Sequence, residues 1–430
     1  MNSLTQADRR VESYLVTRTK FVQSLMRRLC PDPRARRGVR YRLDELLMQL
    51  LLGVLVGSPS LRDVEGLGQQ LWPQRRRSPS DGALANLLAM LSPEHLEPVL
   101  VHLIKRCGRR GELRPDGLDQ HWVTIDGKHC ALQHDAGGDA AMRHITAEQV
   151  YWHLGMLRAA LVSAPGRPPL GQHVIAPGCS ELSTLWSFVM QLRRDYGELC
   201  CNFTVDAGLW SKELFATFDR SGLGLFAGLK RNKPDLWQQA QRVLDRQRTR
   251  PPHAVCTEQR YRGATVVRRL WRTDQLNGYD GWNNLRQVIV VEQTTRFDDH
   301  RDDRVELRYF VTNALPGQLG AAQALTLVRR HWAIENDINW SFDVQFGEDA
   351  GAWCTQNKAL QCLGVLRMIA LCISQHLRKS HAADRPVLTH PRRPHPARRR
   401  PMPWRQLRQS IGRAMQTIAV ALWPPPARAP

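Results

Sequence analysis

None of the ten cysteines belongs to a C-x-x-C pair, and the closest two, Cys200 and Cys201, are adjacent. A zinc ribbon or a dithiol redox centre is therefore not expected, and the thiols read as reduced and mostly buried. The N-terminus, starting Met-Asn-Ser-Leu-Thr-Gln-Ala-Asp, has no apolar signal core, which points to a cytoplasmic protein. Long apolar runs are also missing. The longest, Leu46 to Val56, contains Gln49 and is too short to span a bilayer, so it reads as a buried helix and no membrane partner is expected. No internal repeat is present. Acidic residues are in deficit, with 40 Asp and Glu against 61 Lys and Arg, a net charge of +21 and a pI near 10.3. That imbalance calls for a polyanionic partner, nucleic acid before any other.

What is present is enough for a full core: 430 residues, 42% hydrophobic, a length that suggests two to three domains. Residues 1 to about 115 read as helical, with apolar segments Leu43 to Val56 and Gly82 to Ile104 and a loop over Trp72 to Ser80. From Trp122 the pattern changes. Short strands are expected over Trp122 to Asp126, Val150 to Val162 and Leu170 to Ala176, the first of them antiparallel. A helix over Glu181 to Arg194, a strand ending at Asp206, a helix around Lys212 to Asp219 and a strand Gly224 to Leu229 follow. That order suits an α/β domain covered on both faces. After a polar helix, Thr265 to Trp271, Leu285 to Glu292 and Glu306 to Thr312 are strand-like, and Ala321 to Trp340 resumes a helical period. Ala359 to Leu377 reads as a further apolar helix. From Arg378 onward twelve basic residues stand against one acid, Asp384, among many prolines, and that tail is expected to be disordered.

Three carboxylates stand out by their settings. Asp126, in Trp122-Val-Thr-Ile-Asp-Gly-Lys128, closes a short β-branched run and is followed by a glycine that admits close approach to the backbone. Alternation sends Val123 and Ile125 into one layer and Thr124 and Asp126 to the other side. Asp206 ends a similar strand in Cys201-Asn-Phe-Thr-Val-Asp-Ala-Gly208, and Glu335 lies on the helical segment Arg329-Arg-His-Trp-Ala-Ile-Glu-Asn336. Three acids so placed suit a divalent-metal site. His331, at i−4 from Glu335, lacks a second histidine at zinc spacing and reads as a hydrogen-bond partner.

The order Ile-Asp-Gly-Lys128, Leu161-Val-Ser-Ala164, Leu170-Gly-Gln172, Ser180-Glu-Leu182, Val-Asp-Ala207, Leu229-Lys-Arg-Asn-Lys-Pro234, His-Trp-Ala-Ile-Glu-Asn336 and Phe342-Asp-Val-Gln-Phe-Gly-Glu-Asp349 resembles the DDE transposases of the H-repeat-associated insertion-sequence group. The resemblance covers roughly residues 35 to 378. It implies an α/β fold with an RNase H-like catalytic core, a β-rich insertion and a helical N-terminal domain. The corresponding division is 1–115 for an end-binding helical domain, 116–234 and 313–379 for the core, 235–312 for the insertion and 380–430 for the basic tail. It further implies Asp126, Asp206 and Glu335 as catalytic, metal-holding acids, Mg²⁺ or Mn²⁺ as cofactor, and double-stranded DNA as partner. A homodimer on DNA and a bacterial, nucleoid-associated location are implied as well. The chain departs from the family after Asp126-Gly-Lys128, where it reads His129-Cys-Ala-Leu-Gln-His134, and at Val328, His331 and Phe342.

Phosphodiester cleavage needs an in-line oxygen nucleophile and stabilisation of the leaving oxygen, which two divalent ions held by carboxylates supply. Asp126 would bridge both ions, with Asp206 on one and Glu335 on the other. Lys128, Lys230, Arg231, Lys233, Arg329 and Arg330 are the candidate phosphate contacts, carrying no base information, and Trp332 is a candidate for stacking on an unpaired base. Two other readings remain open: an inactive DNA-binding relic, and a metal-dependent nuclease on the same fold.

Overall fold

The computed structural model describes residues 6–37, 39–71, 78–132, 141–145, 150–259, 264–297, 302–349, 353–354, 356–380 and 402–423. Five helices open the chain: α1 (Gln6–Leu29), α2 (Leu43–Val56), α3 (Leu61–Leu71), α4 (Asp81–Met90) and α5 (Pro93–Arg109). Helix α2 is buried from Leu43 to Leu55, as an apolar run without a polar face must be. It stops at Gly57, whose φ of 75° provides the left-handed cap that a side chain would strain. The single apolar segment expected over Gly82 to Ile104 is two helices, α4 and α5, bent by 91°. Ser92 precedes the new helix and Pro93 occupies its first position, where a missing N–H costs nothing. Most of the expected loop after Trp72 lies outside the described residues.

Among the described residues ten strands form one mixed sheet: β1 (Val123–Leu132), β2 (Met142–Ile145), β3 (Val150–Leu161), β4 (Pro169–Val174), β5 (Asn202–Val205), β6 (Gly224–Leu229), β7 (Ala254–Gln259), β8 (Thr265–Thr273), β9 (Gln287–Arg296) and β10 (Arg304–Thr312). Their order is β2-β3-β1-β5-β6-β10-β9-β8-β7, with β4 pairing β3. β1 runs antiparallel to β3 along its whole length, so β2 and β4 share the other edge of β3. β1, β5 and β6 are parallel neighbours, and from β6 to β7 every pairing is antiparallel. The strands of residues 235–312 therefore continue the same sheet through the β6–β10 pairing. β7 had no counterpart in the sequence reading, its alternation being masked by Cys256 and Glu258.

Alternation along these strands feeds two large hydrophobic clusters, and the far ends of β1 and β3 a small third one. Leu225, Ala227, Val288, Val290, Tyr309 and Val311 face one, while Phe226, Ile289, Val291 and Phe310 face the other. The first is lined by α6 (Glu181–Tyr196), α7 (Lys212–Arg220) and α8 (Pro234–Arg248) and continues into the N-terminal helices; the second is closed by α9 (Ala321–His331). The fold is thus a mixed α/β architecture with helices on both faces of the sheet.

Helix α10 (Asn357–Ser380) packs against α2, α4, α5 and β4. Its span Asn357–Lys379 is long and apolar enough to cross a membrane, but 89% of its most apolar window is buried in the protein. Within the tail expected to be disordered, α11 (Trp404–Leu422) is a helix laid along α1. Leu407, Ile411, Ala414, Met415, Ile418 and Leu422 recur at helical spacing and are buried. The amphipathic stripe outweighs the proline- and arginine-rich composition around it. Residues 381–401 and 424–430 lie outside the described residues.

Candidate active site

The sheet splits where β1 and β5 part. Their parallel pairing ends at Ile125↔Val205, so Asp126 and Asp206 are the next residues on neighbouring strands. Crevices at the carboxyl ends of parallel strands are where α/β sheets hold ligands. Asp126 is not at a strand end, as expected from the β-branched run, because β1 continues to Leu132 on its β3 side. Asp206 does lie just past its strand, in extended conformation before a 3-10 turn over Ala207–Leu209. That turn is pinned from below: Trp210 Nε1 donates to the Gly228 carbonyl at 2.8 Å.

Glu335 reaches the same place from the other face. The α-helical period expected from Ala321 to Trp340 holds only to His331; Ile334–Asn339 and Ser341–Gln345 are π-helical. π-Helical turns inside α-helices are frequent at functional sites. The wider winding separates His331, Glu335 and Asn339, which an unbroken α-helix would align on one stripe: the first and last are buried, and Glu335 is exposed. Glu335 and Asp206 both act electrostatically on Asp126. Burial first, then Asp206 and Glu335, push the Asp126 carboxyl up to about 7. The Gly127 N–H, 2.9 Å from Asp126 Oδ1, opposes that rise. Asp206 behaves in the opposite way. His331, buried at the end of α9, sets Nε2 2.7 Å from Asp206 Oδ1, and this contact leads the causes that hold Asp206 below the usual carboxylate range. Among the described residues no group of three or more His, Cys, Asp or Glu side chains has metal-holding geometry.

The seven candidate phosphate and base contacts fall into different surroundings. Lys230 and Arg231 are exposed just past β6, and Lys230 is close enough to Asp206 to lower its pKa. Lys128 is engaged with Asp343 at 2.7 Å and Asp349 at 3.0 Å. Lys233 lies over the Trp210 ring and donates to the Ala207 carbonyl at 3.3 Å; burial lowers its pKa. Arg330 binds the Ser163 carbonyl at 2.7 Å and Asp116 at 3.2 Å, tying α9 to the turn after β3. Arg329 pairs with Glu258 at 2.6 Å. Arg329, Trp332 and Glu335 line a cleft of about 530 Å³ together with Arg268 and Arg308, and Arg308 covers the Trp332 ring at 4.9 Å.

Two neighbours of the acids escaped the sequence reading. A Cβ on Gly127 would overlap the Glu181 carboxylate, so the space that the glycine opens is filled by the first turn of α6. Arg158 stands opposite Asp126 on β3, fully buried, and is paired with Glu348. Its signal was available: an arginine inside the apolar run Leu154 to Leu161 must bring a partner with it. All ten cysteines are free thiols and only Cys179 is exposed, which leaves no disulfide in the fold.

No protein-family model matches the chain. It is 20% identical over 336 residues to "Putative protein YbfL" of Escherichia coli (strain K12), covering 75% of this chain and 82% of that one. It is 19% identical over the same length, with the same coverage, to the "H repeat-associated putative transposase YhhI" of that organism. The chain is thus distantly similar, over most of the length of both, to a protein whose name reads "putative transposase".

Proposed function

We propose that the chain is a DDE-type transposase acting on double-stranded DNA, with Asp126, Asp206 and Glu335 as its catalytic acids and Mg²⁺ or Mn²⁺ as cofactor. The observation that carries the reading is the placement of Asp126 and Asp206 on adjoining positions where β1 and β5 part, with Glu335 on the π-helical turn near enough that, after burial, it and Asp206 both help raise Asp126. Supporting an RNase H-like core is the strand arrangement itself: three antiparallel strands, β4-β3-β1, then β5 and β6 parallel to β1. A buried acid raised by two neighbouring acids is a site short of positive charge, and hard oxygen donors suit a divalent ion. When bound, such ions would stabilise both the attacking and the leaving oxygen of a phosphodiester. The chain's own part is to hold the carboxylates at the sheet's split, with Lys230 and Arg231 on the open side to meet phosphates. Trp332, beside Glu335, extends that surface, while Lys128, Lys233, Arg329 and Arg330 are engaged within the protein.

The test separates this reading from an inactive DNA-binding relic and from a nuclease on the same fold. The test is strand cleavage and joining by the purified chain, with Mg²⁺ and DNA carrying the ends that flank its coding region. The expected result is nicking at those ends and joined product, both lost in Asp126→Asn, Asp206→Asn and Glu335→Gln while DNA binding persists. Cleavage without joining would indicate a nuclease. Binding with neither step in the intact chain would establish the relic.

A further inference from the structure

We infer that His331 is a positioning residue: it fixes the orientation of Asp206 and ties that acid to the helix that delivers Glu335. The inference rests on the metal-site reading above and deepens it. His331 is 5% exposed and has both ring nitrogens engaged. Nε2 is 2.7 Å from Asp206 Oδ1, and Nδ1 is 2.9 Å from the Thr204 hydroxyl. With Thr204 donating to Nδ1, the Nε2–H is left to donate to the carboxylate, and every group in the chain Thr204–His331–Asp206 is satisfied. The backbone of His331 is held as well, since the Thr124 hydroxyl donates to its carbonyl at 3.4 Å. Thr124 and Thr204 stand two residues before Asp126 and Asp206 on the paired strands β1 and β5. One residue of α9 is therefore seated on both acid-bearing strands, by its ring on the β5 side and by its backbone carbonyl on β1, at the point where the α-helix gives way to the π-helical turn of Glu335.

Two consequences follow for the acids. Asp206 Oδ1 accepts from the imidazole, which fixes the plane in which the carboxylate would present its remaining lone pairs to an ion. The contact also fixes the starting point of the segment Ile334–Asn339, so the distance from Glu335 to the sheet is set by His331 and not by packing of α9 alone. Partners that orient a metal-ligating group typically change metal affinity by about 10–100-fold when removed.

The experiment measures Mn²⁺ binding to the full-length chain by the electron paramagnetic resonance signal of free Mn²⁺, with the melting temperature of the metal-free protein alongside. His331→Phe keeps a ring and removes both hydrogen bonds; Thr204→Val keeps shape and removes only the bond to Nδ1. The expected result is Mn²⁺ affinity weakened by about 10–100-fold in His331→Phe and by less in Thr204→Val. His331→Gln, whose amide N–H can reach the carboxylate, should recover part of the loss. Should His331→Phe fail to fold, Thr204→Val carries the comparison. Folded variants with wild-type Mn²⁺ affinity would overturn the inference. So would loss of the fold in both variants without rescue by His331→Gln, which would make the contact purely structural. A wild-type chain that binds no more Mn²⁺ than an Asp126→Asn, Asp206→Asn, Glu335→Gln triple variant would overturn the metal-site reading itself, and this inference with it.

Discussion

Arg158 and Glu348 form a two-pronged ion pair in the interior, Nη2 to Oε1 at 2.6 Å and Nη1 to Oε2 at 2.7 Å. Arg367 of α10 adds a third charge at 3.4 Å, and the Phe342 ring lies 4.5 Å from the Arg158 guanidinium. The pair joins β3, opposite Asp126, to the chain that follows the Glu335 segment, so it braces the candidate site from behind. Two arginines around one carboxylate leave positive charge uncompensated if that carboxylate is lost. Glu348→Gln is accordingly expected to destabilise the protein by about 3–5 kcal/mol. Chemical denaturation of the two proteins side by side measures it, and a loss below the cost of an ordinary surface change would show that water replaces the carboxylate.

The same pair predicts a pH dependence. Despite burial, Arg158 and Arg367 hold the Glu348 carboxyl down to about 2, against 4.5 for an unperturbed glutamate. A depressed folded-state pKa contributes stability that is complete above the unfolded value and lost as pH falls through the folded one. Stability should therefore decline from about pH 4.5 towards pH 2, and Glu348→Gln should flatten that part of the profile. Denaturant midpoints across this range provide the check. An equally steep decline in the variant would assign the acid sensitivity to other carboxylates.

How far the sequence carried depended on the kind of information each element needs. The α2 boundaries and the strands β3, β5 and β6 follow from composition and alternation, which are local and strong. The acids Asp126 and Asp206 were legible because both follow short β-branched runs. The π-helical winding after His331 was not, because it depends on where the helix is seated: the His331 ring on Thr204 and Asp206 and its carbonyl on Thr124 hold that point, and no local propensity encodes such contacts. α11 was hidden for a different reason. Its apolar stripe is regular, but a composition-based reading of the tail averages it with the flanking prolines and arginines. Arg158 was legible as an anomaly in an apolar strand, while its partner Glu348 lies 190 residues away, beyond any pattern in sequence.

Asp126 gives the opposite pH signature to Glu348. Its carboxyl is raised from 3.8 to about 7 by burial and by Asp206 and Glu335, so the folded protein holds a proton there that the unfolded chain releases. Stability contributed by that proton is present at low pH and lost as pH rises through about 7. In metal-free protein, Asp126→Asn should therefore stabilise at pH 8 by a gain on the order of 1 kcal/mol and change little at pH 4. Thermal melts in a chelating buffer at both values measure the difference. Equal effects at the two pH values would mean that the Asp126 carboxyl is not raised in the folded protein.

The docking of α11 on α1 makes a prediction about folding. Ile411 of α11 is fully buried in the main core. Trp404 meets the Phe346 ring at 5.8 Å, and Arg408 bonds the Gln345 carbonyl at the end of the π-helical segment. Removing buried methylenes leaves a cavity that packed neighbours fill only in part, so Ile411→Ala should cost about 2–5 kcal/mol. A change within a few tenths, read from denaturant midpoints, would mean that α11 is not packed on α1 in solution.

Because α11 is part of the core, the electrostatic role of the C-terminal region is better tested by removing charge than by deleting chain. Arg392, Arg393, Arg398, Arg399 and Arg400 lie outside the described residues and concentrate positive charge between α10 and α11. If they meet DNA phosphates, each releases condensed counterions on binding, and log affinity falls with log salt by up to about 0.9 per phosphate neutralised. Changing all five to glutamine should flatten the slope for non-specific duplex by up to about 4.5, weaken binding most at low salt, and leave the melting temperature near that of the parent. Fluorescence anisotropy with a labelled duplex over a salt series measures the slope. An unchanged slope would remove this region from the DNA surface and leave the attraction to cations on the folded part, Lys230 and Arg231 beside Asp206 among them.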